Sequence, residues 1–349
     1  MLRFTDLSAA QSNPPTRDYF PTEGWLSATP AEQGMDIDSM DKMTDRVDTD
    51  LPFVLSIMVI RHGYVVYEEY FGGSNASTLL SVRSVTKSVM SAIVGIALEN
   101  GDLPSLDITL EDALPDYFEN GENADKSNIT LRNLLMMRSG IDWGETQQQV
   151  VGLWQSRDDQ IEYILSQSMA DTPGAAWRYS TADAHLVSAM FQNLTGQSLL
   201  DYGTTHLFSP LGFGEVDWQE DSSGYNIGGA ELYLTPRDMA KFGFLYLNNG
   251  LWDGQQIVPS DWVALTTTAQ DEDVYYYGYQ WWRAEHEFFG EHTAFVALGY
   301  GGASIFVHPE LDLIVVTQSS YYENVETADA HERLMFDLIS NDVIPAIVE

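Results

Sequence analysis

From Val85 to Leu98 the chain is apolar on nearly every side of a helix. Val85, Val89, Met90, Ile93, Val94, Ile96, Ala97 and Leu98 leave no polar stripe. A helix of that kind is stable only when it is surrounded, so the segment predicts a buried helix at the centre of a large core. Asn100-Gly101 supplies a stop signal, and Ser88, Ser91, Ala92 and Gly95 are small enough to admit close neighbours. With 349 residues, 44% of them hydrophobic, the chain holds enough apolar material for one large domain or two closely joined ones.

The start of this helix carries chemistry. Ser84-Val85-Thr86-Lys87 places a hydroxyl and an amine at i and i+3, on one helical face. A serine hydroxyl is a weak nucleophile until a base lies within hydrogen-bond reach. A lysine set in an apolar wall is desolvated, and desolvation lowers an ammonium pKa toward the range a general base needs. The spacing recurs at Ser39-Met40-Asp41-Lys42, but that copy lies in a charged helical pattern between Asp36 and Asp48. Its lysine is expected to be solvated and charged. A helix-capping serine with a snorkelling lysine is the plain alternative for Ser84 and Lys87.

Composition narrows the partners. The formal charge is −36, from 52 Asp plus Glu against 16 Lys plus Arg, and the acid is spread along the chain. Nucleic acid and anionic membrane surfaces are poor partners for such a surface. The balance suits a high-salt setting, where self-repulsion is screened, or a simply acidic protein. The absence of cysteine excludes disulfides, thiol catalysis and cysteine metal sites. The seven histidines form no metal-spaced pair, so neither a metal nor a cofactor is expected. Met1 to Leu7 lacks the apolar core of a signal peptide and no stretch approaches a membrane span. A soluble, cytoplasmic protein is expected, or an exported one if a signal was removed.

Residues 1 to 33 read as an arm on the surface. Leu55 to Arg61 and Tyr64 to Tyr70 are strand-like around a His62-Gly63 turn. Helices are expected from Thr130 to Gly140, Ile161 to Met169, Ala184 to Leu194 and Thr235-Pro236 to Gly250. Strands follow at Tyr277 to Trp282, Ser304 to Val307 and Leu313 to Gln318, and an amphipathic helix near His331 to Ser340. The order predicts an α/β domain (1–98 and 225–349) carrying the Ser84 helix, interrupted by a mostly helical one (99–224), with a cleft where they meet.

Two later segments complete a candidate site. Tyr179, in Trp177-Arg178-Tyr179-Ser180-Thr181, sits between helices where a loop can present it beside Ser84 and Lys87. There it can relay protons, and a neighbouring lysine is expected to lower its pKa. Gly299-Tyr300-Gly301-Gly302-Ala303 precedes an edge-like strand, and its glycines permit close backbone approach to a ligand. Backbone N–H groups of Ser84 and Ala303 are the candidate oxyanion hole. No Gly-x-Ser-x-Gly elbow occurs, which argues against a Ser-His-Asp hydrolase. The aromatic run Tyr275, Tyr276, Tyr277, Tyr279, Trp281, Trp282 is either an acyl pocket or core.

On these segments the chain resembles the serine β-lactamase and penicillin-recognising superfamily, most of all its class C-like esterases and 6-aminohexanoate-dimer hydrolases. Arg83 to Ser88 looks like the nucleophile motif, Leu131 to Trp143 like a family helix and loop, and Tyr179-Ser180-Thr181 like the tyrosine motif. Gly229 to Ala240 looks like the segment after the helical domain, and Gly299 to Gly302 like the third motif. The resemblance implies a β-lactamase-like fold, an antiparallel sheet flanked by helices with an inserted helical domain. It implies Ser84 as the acylated nucleophile, Lys87 as its base and Tyr179 as proton shuttle, with Thr181, Tyr300, Gly301 and Gly302 toward substrate. Thr181 stands where class C enzymes carry asparagine, and Tyr300-Gly301-Gly302 where they carry Lys-Thr-Gly. Both departures favour a serine hydrolase of small esters or amides over a β-lactamase. The alternatives are an amidase of the 6-aminohexanoate-dimer type, a weak β-lactamase, or a catalytically idle binding protein of the same fold.

Overall fold

The computed structural model describes residues 15–145, 158–268, 277–283, 294–320 and 325–348. Its centre is a sheet of seven antiparallel strands: β1 (Val54–Arg61), β2 (Tyr64–Tyr70), β3 (Tyr277–Gly278), β4 (Trp281–Arg283), β5 (Phe295–Gly299), β6 (Ala303–His308) and β7 (Leu313–Ser319). Their order is β2-β1-β7-β6-β5-β4-β3. The first hairpin turns at His62 (φ 52°) and Gly63 (φ 86°), the two left-handed residues of a tight primed turn.

Strand alternation explains the layers. In β7, Leu313 and Val315 face one buried cluster while Ile314 and Val316 face the other. The smaller cluster holds α1 (Ile37–Asp50) and α7 (Val325–Leu338) through Met40, Met43, Val47 and Leu338. The larger holds α2 (Val85–Asn100) and α6 (Pro236–Leu247). The same cluster continues without a break into the 99–224 segment, through Leu134 of α3 (Leu131–Leu135), Ile161 of α4 (Gln160–Leu165) and Leu186 of α5 (Thr181–Thr195). Residues Val85 to Ala97 of α2 are all buried, as an all-round apolar helix requires. A Cβ on Gly95 would stand 2.5 Å from the Trp262 ring, so that glycine is where the indole packs on the helix.

Three sequence expectations are corrected. The strand after the glycine-rich turn is internal, lying between β5 and β7, and not an edge. Tyr277 to Trp282 is not one strand but a hairpin of β3 and β4, turning at Tyr279 (φ 40°) and Gln280 (φ 77°). Left-handed backbone at such residues is strained, and tertiary contacts hold it. Ser88 and Ser91 of α2 donate to the carbonyls of Gln280 and Tyr279 at 2.7 Å each, and Arg132 Nη1 donates to Tyr279 Oη at 2.9 Å. The helix from Thr130 ends at Leu135, not at Gly140, because Met137 turns left-handed (φ 56°). Part of the expected arm, residues 15 to 33, lies over the first hairpin and α6. Arg17 there pairs with Asp312 at 2.6 Å and donates to Asn248 at 2.7 Å. Residues 1–14 lie outside the described residues.

Candidate active site

Ser84 precedes α2 at φ −74°, ψ −4°, and its side chain makes no capping hydrogen bond. The capping alternative is therefore excluded, and the hydroxyl is available to other partners. Arg83 before it is left-handed (φ 53°), a strained conformation. The Arg83 carbonyl is held by the Thr86 hydroxyl at 2.6 Å. That geometry turns the chain sharply from the Leu80–Ser81 strand into α2 and leaves Ser84 half-buried at the helix start.

One turn on, Lys87 is 2% exposed. Its Nζ donates to Ser84 Oγ at 3.0 Å, to Thr181 Oγ1 at 3.3 Å and to the Gly229 carbonyl at 2.6 Å. Burial is the main influence on the amine and lowers its pKa to about 8, while the Glu145 carboxylate pulls it upward. The ammonium lies 5.0 Å from the centroid of the Tyr179 ring. Ser39 and Lys42 make no such site: Ser39 Oγ donates to Asp36, the cap of α1, at 2.6 Å, and Lys42 is exposed.

Tyr179 is half-buried and stacks on Trp282, with ring centroids 5.8 Å apart. Its hydroxyl shares a hydrogen bond with Ser84. The expectation that Lys87 would lower the phenol pKa is overturned. Burial pushes it well above the ordinary tyrosine value, the Glu145 and Glu332 carboxylates push the same way, and the Ser84 hydrogen bond opposes them only in part. A desolvated amine that sheds its own charge gives the phenolate little support. Tyr179 is thus a neutral phenol near neutral pH, a proton donor.

Two groups around Lys87 were not foreseen. The Gly229 carbonyl has no side-chain signature. Glu145 is left-handed (φ 49°) and aims its carboxylate at Thr181, 36 residues further on, accepting from the Thr181 N–H at 3.0 Å, from the Thr181 hydroxyl and from the Trp143 indole. Thr181 thereby links Glu145 to Lys87. Nearby, Asp183 is buried on α5 with Ser139 and Ser180, and burial raises its pKa to about 7.

The glycine-rich turn reaches the same place from β5. A Cβ on Gly299 would stand 2.6 Å from the Val82 carbonyl and 2.9 Å from Arg83 Cβ, so this strand end abuts the residues before Ser84. Ala303, its register partner, is buried. Gly301 (φ 77°) and Gly302 (φ 93°) make the turn, and the space over Gly302 is taken by Met335 of α7, 2.7 Å from where a Cβ would be. Gly299 and Gly302 are thus closely packed, and Tyr300 is half-buried against the smaller cluster. In the aromatic run, Tyr277, Tyr279 and Trp281 are buried, whereas Tyr275 and Tyr276 lie outside the described residues, as do His286 and His292. No group of metal-ligating side chains occurs among the described residues.

Residues 53–339 match the family model described as Beta-lactamase. The chain is 22% identical over 326 residues to the 6-aminohexanoate-dimer hydrolase of Paenarthrobacter ureafaciens, covering 84% of this chain and 80% of that one. Its fold matches a candidate 6-aminohexanoate-dimer hydrolase from Bacillus anthracis with a TM-score of 0.74 at 21% identity, over 94% of this chain and 90% of that one. It also matches a family VIII carboxylesterase with a TM-score of 0.65 at 17% identity, over 90% and 98% of the two chains.

Proposed function

The chain belongs to the beta-lactamase family of serine hydrolases, and from that premise we propose that it cleaves small carboxylic esters through an acyl-enzyme on Ser84. The observation that carries this reading is the burial of Lys87 within 3.0 Å of Ser84 Oγ, with its pKa lowered to about 8. A fraction of the amine is then neutral near physiological pH.

In acylation the neutral Lys87 amine takes the Ser84 proton as Oγ bonds to the substrate carbonyl carbon. Charge builds on the carbonyl oxygen, for which the N–H groups of Ser84 and Ala303 are the proposed donors. Collapse breaks the bond to the leaving alkoxide, which takes the Tyr179 phenolic proton. Lys87, now ammonium, returns a proton to Tyr179. Water then attacks the acyl carbon, giving one proton to Lys87 while Ser84 Oγ takes one back, and the acid departs.

The groups around Ser84 and Lys87 favour esters over β-lactams. Thr181 already serves Glu145 and Lys87, so it is poorly placed to grip a lactam side-chain amide. Tyr300 supplies no cation for an antibiotic carboxylate, and Glu145 and Glu332 act on Tyr179 as negative charges. Gly301 and Gly302 are proposed to shape the substrate side through the turn they make. Amide cleavage is the second reading, favoured by the likeness to the 6-aminohexanoate-dimer hydrolase. The test is a panel of p-nitrophenyl esters, a chromogenic cephalosporin and 6-aminohexanoate dimer. Ester turnover should exceed the other two, and efficient cephalosporin turnover with weak ester activity would overturn the assignment.

A further inference from the structure

Thr181 has one hydroxyl proton, and its two partners compete for it. Glu145, an acceptor when ionised, takes that proton through Oε1 and also accepts the Thr181 N–H at 3.0 Å and the Trp143 indole N–H. The Thr181 oxygen is then left to accept from Lys87 at 3.3 Å. The Gly229 carbonyl, 2.6 Å from the amine, accepts only. A neutral lysine keeps two N–H groups and one lone pair. With two directions fixed as acceptors, the lone pair is left for the third partner, Ser84 Oγ at 3.0 Å.

We propose that Glu145 is a positioning residue that, by fixing the Thr181 proton, turns the lone pair of Lys87 toward Ser84. The inference rests on the Ser84–Lys87 hydrolase reading and extends it to a carboxylate that touches neither substrate nor nucleophile. Glu145 acts on the amine in two separable ways. Its hydrogen bond orients Thr181, and its charge favours the protonated lysine. Replacing it by glutamine removes the charge and offers Thr181 an N–H, which frees the hydroxyl to donate to Lys87 and turns the lone pair from Ser84.

Other titratable groups among the described residues bear on the pair. Tyr179 lies against the amine. Asp183 on α5 interacts with Glu145, Glu332 on α7 with Tyr179, and Tyr277 on β3 with Tyr179 and Asp183. Asp183, raised by burial to about 7, titrates near Lys87 at about 8. An Asp183→Asn control should therefore retain the limb near pH 8.

The test is the pH dependence of Ser84 labelling by a fluorophosphonate, on full-length protein whose thermal melt is unchanged. In Glu145→Gln the plateau rate should fall roughly tenfold or more while the acidic limb moves down by about half a pH unit or more. Thr181→Val should lower the plateau likewise, and Thr181→Ser, which keeps the hydroxyl, should recover most of that loss. A lower plateau with an unmoved limb would reduce Glu145 to a structural role and overturn the proposal. So would a moved limb with an unchanged plateau, which leaves charge alone, or equal rates in the two Thr181 variants. If Glu145→Gln does not fold, the Thr181 pair decides. Absence of labelling in the unsubstituted protein would instead overturn the hydrolase reading beneath it.

Discussion

Gly229 stands where any side chain would collide with Thr181: a Cβ there lies 2.6 Å from Thr181 Cγ2 and 3.3 Å from Lys87 Nζ. Its φ is not left-handed, so space alone demands glycine. Gly229→Ala should push Thr181 off the amine and cut ester turnover roughly tenfold or more, with a modest loss of stability. Because serine lacks Cγ2, Gly229→Ala/Thr181→Ser should recover much of the lost rate. Steady-state kinetics of the single and double variants check this, and a double variant no better than Gly229→Ala refutes it.

Ser84→Ala should abolish covalent labelling by a fluorophosphonate, whereas Ser39→Ala should leave it intact. Ser39 is engaged with Asp36 and Lys42 is exposed, so that copy lacks a buried base. Intact-mass spectrometry of the labelled variants distinguishes the two helices.

Lys87→Met should remove turnover and stabilise the fold at neutral pH. The amine's pKa falls from 10.5 to about 8 on folding, so below pH 8 the folded state carries a buried cation at a cost of about 3 kcal/mol. Between those values the unfolded chain binds more protons, and native stability rises with pH. The loss of the donor to the Gly229 carbonyl returns about 1 kcal/mol or more. Urea melts should therefore show the variant ahead at pH 7, with its lead shrinking toward about pH 10.

Tyr179→Phe should lower kcat by about 10²- to 10⁴-fold if the phenol protonates the leaving group. Its pKa lies well above the ordinary tyrosine value, so kcat/KM of the native protein should rise through a limb near 8 and stay level to about pH 10. A fall between pH 8 and 10 would show that the phenol ionises earlier than its surroundings dictate.

Ser84 and Lys87 were legible because their relation is local: three residues apart on a helix whose apolar surface announces burial. The β1–β2 hairpin was legible for the same reason, with glycine at its turn. Glu145 was not, since its role depends on a left-handed backbone and a partner 36 residues away. The Gly229 carbonyl carries no side-chain signal at all. The β3–β4 hairpin was hidden because Tyr279 and Gln280 lack turn chemistry, and α2 and α3 supply the bonds that hold it. Strand β5 was missed because five residues beside a glycine-rich turn show too little alternation.

The unbroken cluster from the sheet through α2 into α5 bears on how substrate gets in. Parting the helical segment from the sheet would strip α2 of neighbours and expose residues such as Val89, Ile93 and Val94, all fully buried. Hinge opening between the two segments is therefore far too costly to serve as a step in turnover. On the proposed hydrolase reading, access is instead expected from rotamer changes of side chains beside Tyr179, such as Trp282, while the Ser84–Lys87–Thr181 frame stays still. Variants that alter substrate range should accordingly map to the side chains around Tyr179, and variants in the seam should change melting temperature before selectivity.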